Sequence, residues 1–93
     1  MFAVNEYFDG KVKSLAFTDN GKKVTMGVMA AGEYTFNTGA KEVMKVVTGS
    51  MDVKLPGASA FVTYKAGQEY NVPEKSAFDL KIKSDVSYLC YYG

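Results

Sequence analysis

The chain has no histidine, no arginine and no tryptophan, and only one cysteine, among its 93 residues. Each absence excludes something. Without histidine, neither a Ser-His nor a Cys-His nucleophile pair can be assembled. A His-rich site for a first-row metal is excluded for the same reason. Without arginine there is no guanidinium fork for bidentate binding of phosphate or carboxylate. Any anion must then be held by lysine, hydroxyls or backbone N–H groups. The single Cys90 rules out an intramolecular disulfide and fits a reducing compartment. Net charge is only +1, so no strong field draws the chain to a nucleic-acid polymer or a membrane surface. No apolar run approaches transmembrane length. The opening Met-Phe-Ala-Val-Asn-Glu has neither the basic region nor the apolar stretch of a signal peptide. A P-loop and a dinucleotide fingerprint are also missing. A cytoplasmic protein, with neither nucleic-acid polymer nor membrane as partner, is expected.

What is present is a set of short runs of aromatic and β-branched residues, broken by Gly, Pro, Asp and Asn. That pattern predicts an all-β sandwich or barrel. The length suits one domain, residues 1–93, with one core. Residues 11–17 and 22–29 flank Asn20-Gly21, a hairpin turn signal. Residues 42–48 and 51–55 flank Gly49-Ser50, which predicts a second two-residue hairpin turn. Leu55-Pro56-Gly57-Ala58 is a turn. Residues 61–64, 68–72, 78–83 and 87–92 complete the strands. No segment holds a helical apolar period better than it alternates.

Alternation assigns the inward residues, because side chains point to opposite faces along a strand. Phe78, Leu80 and Ile82 share one face, with Asp79, Lys81 and Lys83 opposite. Met44 and Val46 share a face with Glu42, and Tyr34, Phe36 and Thr38 share another. Glu42 is thus the one acid expected to point inward. A buried carboxylate is costly unless paired or hydrogen-bonded. It either sits wet at a barrel mouth, satisfies backbone amides, or holds a substrate hydroxyl or base edge. Phe36 and Phe78 read first as core residues, and only second as walls able to stack on a planar ring. Thr38 offers a hydroxyl or belongs to a loop. Lys11 and Lys13 read as a solvated face, with a phosphate role as the alternative. Cys90 reads as a small buried hydrophobe, and Tyr88 to Tyr92 as a core or interface strand.

Two glycine-anchored segments sharpen the fold. One runs from Gly32 through Phe36, Thr38 and Glu42 to Gly49; the other from Gly67 through Pro73 to Phe78. Together they resemble the two motifs of the cupin barrel, a small all-β jelly roll. In metal-binding cupins the first motif carries His-x-His and Glu, and the second a further His. Here those positions are Phe36, Thr38, Glu42 and Phe78, so the resemblance implies the barrel and no bound metal. By alternation, all four positions face inward.

A narrower resemblance covers residues 5–92. The strings Asn-Glu-Tyr-Phe (5–8), Gly-Lys-Val-Lys-Ser (10–14), Gly-Val-Met (27–29), Gly-Glu-Tyr-Thr-Phe (32–36), Asn-Val-Pro (71–73) and Ser-Tyr-Leu-Cys (87–90) occur in order. They resemble the small bacterial pyrimidine/purine nucleoside phosphorylases. The resemblance implies a pentosyltransferase. A purine or pyrimidine nucleoside and phosphate would give free base and pentose 1-phosphate, with phosphate as co-substrate and no cofactor. Alternation and chemistry, rather than the family, supply the expected site: Glu42 catalytic, with Tyr34, Phe36, Thr38 and Phe78 binding substrate. A homodimer is expected, because a chain this small gains from burying more surface. The alternative is a non-catalytic cupin that binds a small sugar or nucleotide.

Overall fold

Alternating short runs pair into antiparallel strands, and the computed structural model, which describes residues 1–93, contains strands and no helix. In chain order they are β1 (Val4–Tyr7), β2 (Val12–Asp19), β3 (Lys22–Met29), β4 (Gly32–Asn37), β5 (Glu42–Thr48), β6 (Ser50–Lys54), β7 (Val62–Lys65), β8 (Glu69–Val72), β9 (Ala77–Ile82) and β10 (Val86–Tyr92). A six-stranded sheet has the order β1-β2-β3-β10-β5-β8, and a four-stranded sheet has the order β4-β9-β6-β7. Every strand pairing is antiparallel. The sheets face each other over one apolar cluster that includes Val12, Met29, Tyr34, Met44, Val46, Val53, Phe78, Leu80 and Ile82. The inward residues assigned by alternation therefore lie where expected. Phe36 packs on the edge of this cluster.

The turn at Asn20-Gly21 joins β2 to β3, with both φ angles positive, at 50 and 76°. The turn at residues 55–58 closes through Ala58 N–H donating to the Leu55 carbonyl at 3.0 Å. The hairpin expected at Gly49-Ser50 does not form. β5 pairs with β10 and β8, whereas β6 pairs with β7 and β9 in the other sheet. Gly49 instead turns the chain from one sheet to the other. Its φ is +81°, and a Cβ there would meet the Asp85 carbonyl oxygen at 3.2 Å. A left-handed φ is what glycine supplies at low cost, and here it makes a corner between layers. Strand β1 was not anticipated. It adds to the sheet edge and places Tyr7 against the ring of Phe36, at 6.5 Å between centroids.

Candidate functional site

Strand register builds the site. On the inner face of the large sheet, Glu42 lies opposite Tyr92. Cys90 lies between Met44 and Thr25, and Tyr88 between Val46 and Gly27. Ser14 is opposite Gly27. These ranks expose carboxyl, thiol and hydroxyl groups toward the barrel interior. The small sheet answers with rings: Phe36 on β4 lies opposite Phe78 on β9, stacked at 5.8 Å with 25° between planes. The result is a cavity of about 130 Å³ with one polar wall and one aromatic wall. Tyr7, Met29, Asn37 and Met44 complete the lining.

Three sequence-expected residues, Glu42, Phe36 and Phe78, line this cavity. Two others do not. Tyr34 is buried beside Phe8 and Phe36, and its hydroxyl donates to the Ala30 carbonyl at 2.6 Å. Thr38 is also buried, but its hydroxyl is spent on the 73–76 loop. It donates to the Pro73 carbonyl at 2.7 Å and accepts from the Ser76 N–H at 3.0 Å. Neither group has a free polar atom aimed at the interior. Sequence reasoning passed over Tyr7, Ser14, Thr25, Tyr88, Cys90 and Tyr92. The signal for three of them is the alternation of Tyr88, Cys90 and Tyr92 along one strand, a pattern that a core or interface strand shares.

Glu42 is half-buried and has no ion-pair partner; the protein's two salt bridges are Lys13–Glu6 and Lys83–Asp52. Its direct polar contact is the Cys90 thiol, which donates to Oε1 at 3.4 Å. Burial pushes the Glu42 carboxyl above the ordinary value of 4.5, and the thiol's hydrogen bond opposes that shift. Desolvation disfavours a lone charge. Burial, with the Glu42 charge adding to it, pushes the Cys90 thiol up to about 12, so it remains a donor at neutral pH. Thr25 and Tyr92 share a hydrogen bond of 3.3 Å beside this pair. Tyr88 is pushed up to about 12 as well, chiefly by burial.

A second space lies outside this one. A cleft of about 700 Å³ is lined by Lys22, Lys41, Glu42, Glu69, Asn71 and Tyr92, among others. Glu42 and Tyr92 belong to both linings. Lys11 and Lys13 are elsewhere: Lys13 pairs with Glu6 at 3.3 Å, and Lys11 borders a separate depression near Asp85.

The cupin fold often carries a metal, but these donors do not fit one. No three His, Cys, Asp or Glu side chains converge anywhere. Glu42 and Cys90 are the only such groups in the cavity lining, and phenylalanine rings occupy the facing wall.

The architecture and the glycine-anchored motifs define a cupin. An RmlC-like cupin from Shewanella frigidimarina superposes with a TM-score of 0.76 over 98% of this chain and 82% of its own, at 18% identity. A crystallised Vibrio parahaemolyticus protein matches with a TM-score of 0.96 at 44% identity, over 100% of this chain and 99% of that one. The family model for pyrimidine/purine nucleoside phosphorylase matches residues 2–92. A Pseudomonas syringae pv. syringae protein of that name is 52% identical over 92 residues, covering 99% of both chains. The chain belongs to the pyrimidine/purine nucleoside phosphorylase family.

Proposed function

We propose that this protein is a metal-independent nucleoside phosphorylase of broad base tolerance. It cleaves purine and pyrimidine nucleosides with phosphate to free base and pentose 1-phosphate. Family membership over the whole chain carries the reading. The site's chemistry supports it. Cleaving the N-glycosidic bond builds positive charge on the sugar, as in other oxocarbenium-like glycosyl transfers. The base must leave with a proton or a hydrogen bond. A stacked Phe36–Phe78 wall suits any base, since every base has a π-face. Flexible Met29 and Met44 side chains tolerate differences in outline. Glu42 and the hydroxyl-bearing wall supply the polar contacts.

The protein acts as a cytoplasmic homodimer in this reading. No helix is long and apolar enough to cross a membrane. Val4, Leu15 and Met26 lie opposite one another on neighbouring strands, and all three are exposed. Covering such a patch with a second copy would bury apolar surface.

The test is a panel of purine and pyrimidine nucleosides, incubated with and without phosphate and analysed for free base. Base release that requires phosphate and spans both base classes is expected. Release without phosphate would make the protein a hydrolase. No release from any nucleoside would leave the non-catalytic sugar- or nucleotide-binding reading.

A further inference from the structure

The two spaces that meet at Glu42 differ in size and charge. An apolar cavity of about 150 Å³ accepts a benzene molecule. The inner cavity, at about 130 Å³, is of the size that holds a flat aromatic group and is too small for a whole nucleoside. The outer cleft has about 700 Å³, enough for a sugar and an anion. Its lining holds two acids, Glu42 and Glu69, and two lysines, Lys22 and Lys41, that have no acidic partner within salt-bridge distance. The Lys41 backbone is pinned, because its carbonyl accepts from the Gly93 N–H at 2.9 Å. Without arginine in the chain, lysines are the only side chains that stay fully cationic at neutral pH.

We propose that base and phosphate occupy different chambers, the base ring in the inner cavity and phosphate in the outer cleft beside Lys22 and Lys41. At the junction, the Glu42 carboxyl passes the phosphate's proton to the departing base. This deepens the phosphorolysis reading and rests on it.

The step balances without any further reactant. A phosphate oxygen of HPO₄²⁻ forms the new bond to the anomeric carbon as the C–N bond breaks. The bonding pair leaves with the base nitrogen, which takes the proton from the Glu42 carboxyl. The proton on phosphate then returns to the Glu42 carboxylate. Products are the pentose 1-phosphate dianion and a neutral base. Burial favours the neutral form of the Glu42 carboxyl, no cation lies within salt-bridge distance of it, and the step draws on that neutral form. The groups around it are Cys90, Tyr88 and Tyr92 on β10, Tyr70 and Glu69 on β8, Lys22 on β3, and Lys41 just before β5. Cys90 is a positioning residue: its thiol fixes one carboxyl oxygen and leaves the other for transfer.

Steady-state kinetics of the whole protein test this with Lys22→Gln, Lys41→Gln and Glu42→Gln. Loss of one charge-assisted phosphate contact corresponds to roughly tenfold weaker binding. Each lysine variant should raise KM for phosphate by that order and leave KM for the nucleoside unchanged. The wild type should lose kcat at high pH, and Glu42→Gln should lower kcat at least tenfold and abolish that fall. Unchanged phosphate KM in the double lysine variant, with an active wild type, would overturn the phosphate assignment. A wild-type rate and pH profile in folded Glu42→Gln would overturn the relay. An amide-resolved NMR titration with inorganic phosphate alone reads the cleft even if no nucleoside is cleaved. Shifts should centre on Lys41, Glu42 and Gly93, and shifts confined to residues lining the inner cavity would contradict the assignment. A wild type that binds phosphate in the cleft but cleaves nothing would sink phosphorolysis and the relay, and leave the anion site standing.

Discussion

The Cys90 thiol donates to Glu42 Oε1 at 3.4 Å across strands β10 and β5, from 48 residues further along the chain. The two are diagonal neighbours on one sheet face, since Cys90 lies opposite Met44 and Tyr92 opposite Glu42. Diagonal pairs of this kind are within side-chain reach. The contact joins the only acid of the cavity to the only cysteine of the chain, so the ionisation of each depends on the other.

The raised Glu42 carboxyl links stability to pH. The folded state holds this proton more tightly than the unfolded state does. Its contribution is therefore full below the ordinary value of 4.5 and is lost as pH rises through the folded value. Glu42→Gln keeps an oxygen to accept from Cys90 and cannot ionise. Its Tm relative to wild type should rise as pH is raised from 4 to 8. A difference in Tm that is flat across that range would contradict the assignment.

Cys90 should be chemically quiet. It is buried and its thiol is pushed up to about 12, and the thiolate is the reactive form. Alkylation by iodoacetamide at pH 8 should be far slower in native protein than after unfolding. Equal rates would contradict the burial and the donor role. Cys90→Ala removes the hydrogen bond that steadies the Glu42 charge. The high-pH limb of kcat should move upward in pH, and Cys90→Ser should restore it partway.

Gly27 leaves room for Tyr88. A Cβ at Gly27 would come within 2.6 Å of the Tyr88 hydroxyl oxygen and 2.7 Å of the Lys13 carbonyl oxygen. One of those atoms is backbone, so the strand pair cannot yield easily. Gly27→Ala should destabilise by about 1–3 kcal/mol, as overpacking does. Displacing Tyr88 should also change the cavity outline. Urea unfolding checks the first effect, and KM across small and large bases checks the second.

Thr38 and Phe78 separate structure from chemistry. Thr38→Val strips the Ser76 N–H of its acceptor and should cost about 1–3 kcal/mol of stability. Turnover of the remaining folded protein should stay near wild type, because the hydroxyl faces the 73–76 loop. Phe78→Ala removes a nearly fully buried ring that is both core and cavity wall. It should cost about 3–5 kcal/mol and also weaken nucleoside binding. Calorimetry alongside kinetics distinguishes the two variants.

Alternation alone brought Phe36, Glu42 and Phe78 to one interior, because a two-residue period leaves no choice of face once one face is buried. It could not tell which inward groups were already satisfied. The hydroxyls of Tyr34 and Thr38 meet the Ala30 and Pro73 carbonyls, partners set by loop geometry rather than by strand period. Gly49 shows a different limit. A glycine between two strands looks alike whether it closes a hairpin or turns a corner between sheets, because both need a positive φ. Alternation along β10 puts Tyr88, Cys90 and Tyr92 on one face but does not distinguish a packing face from a polar wall, and Thr25 and Glu42 join them from strands distant in sequence. They meet only through the β3–β10–β5 register.

The most direct measurement follows the sugar rather than the base. Wild type and Glu42→Gln are incubated with a purine or a pyrimidine nucleoside and inorganic phosphate, and phosphorus NMR follows the phosphate. A pentose 1-phosphate signal should grow in step with free base for both nucleosides, and at least about tenfold more slowly in the folded Glu42→Gln variant. Free base without any sugar phosphate, or equal rates for the two proteins, would contradict the account.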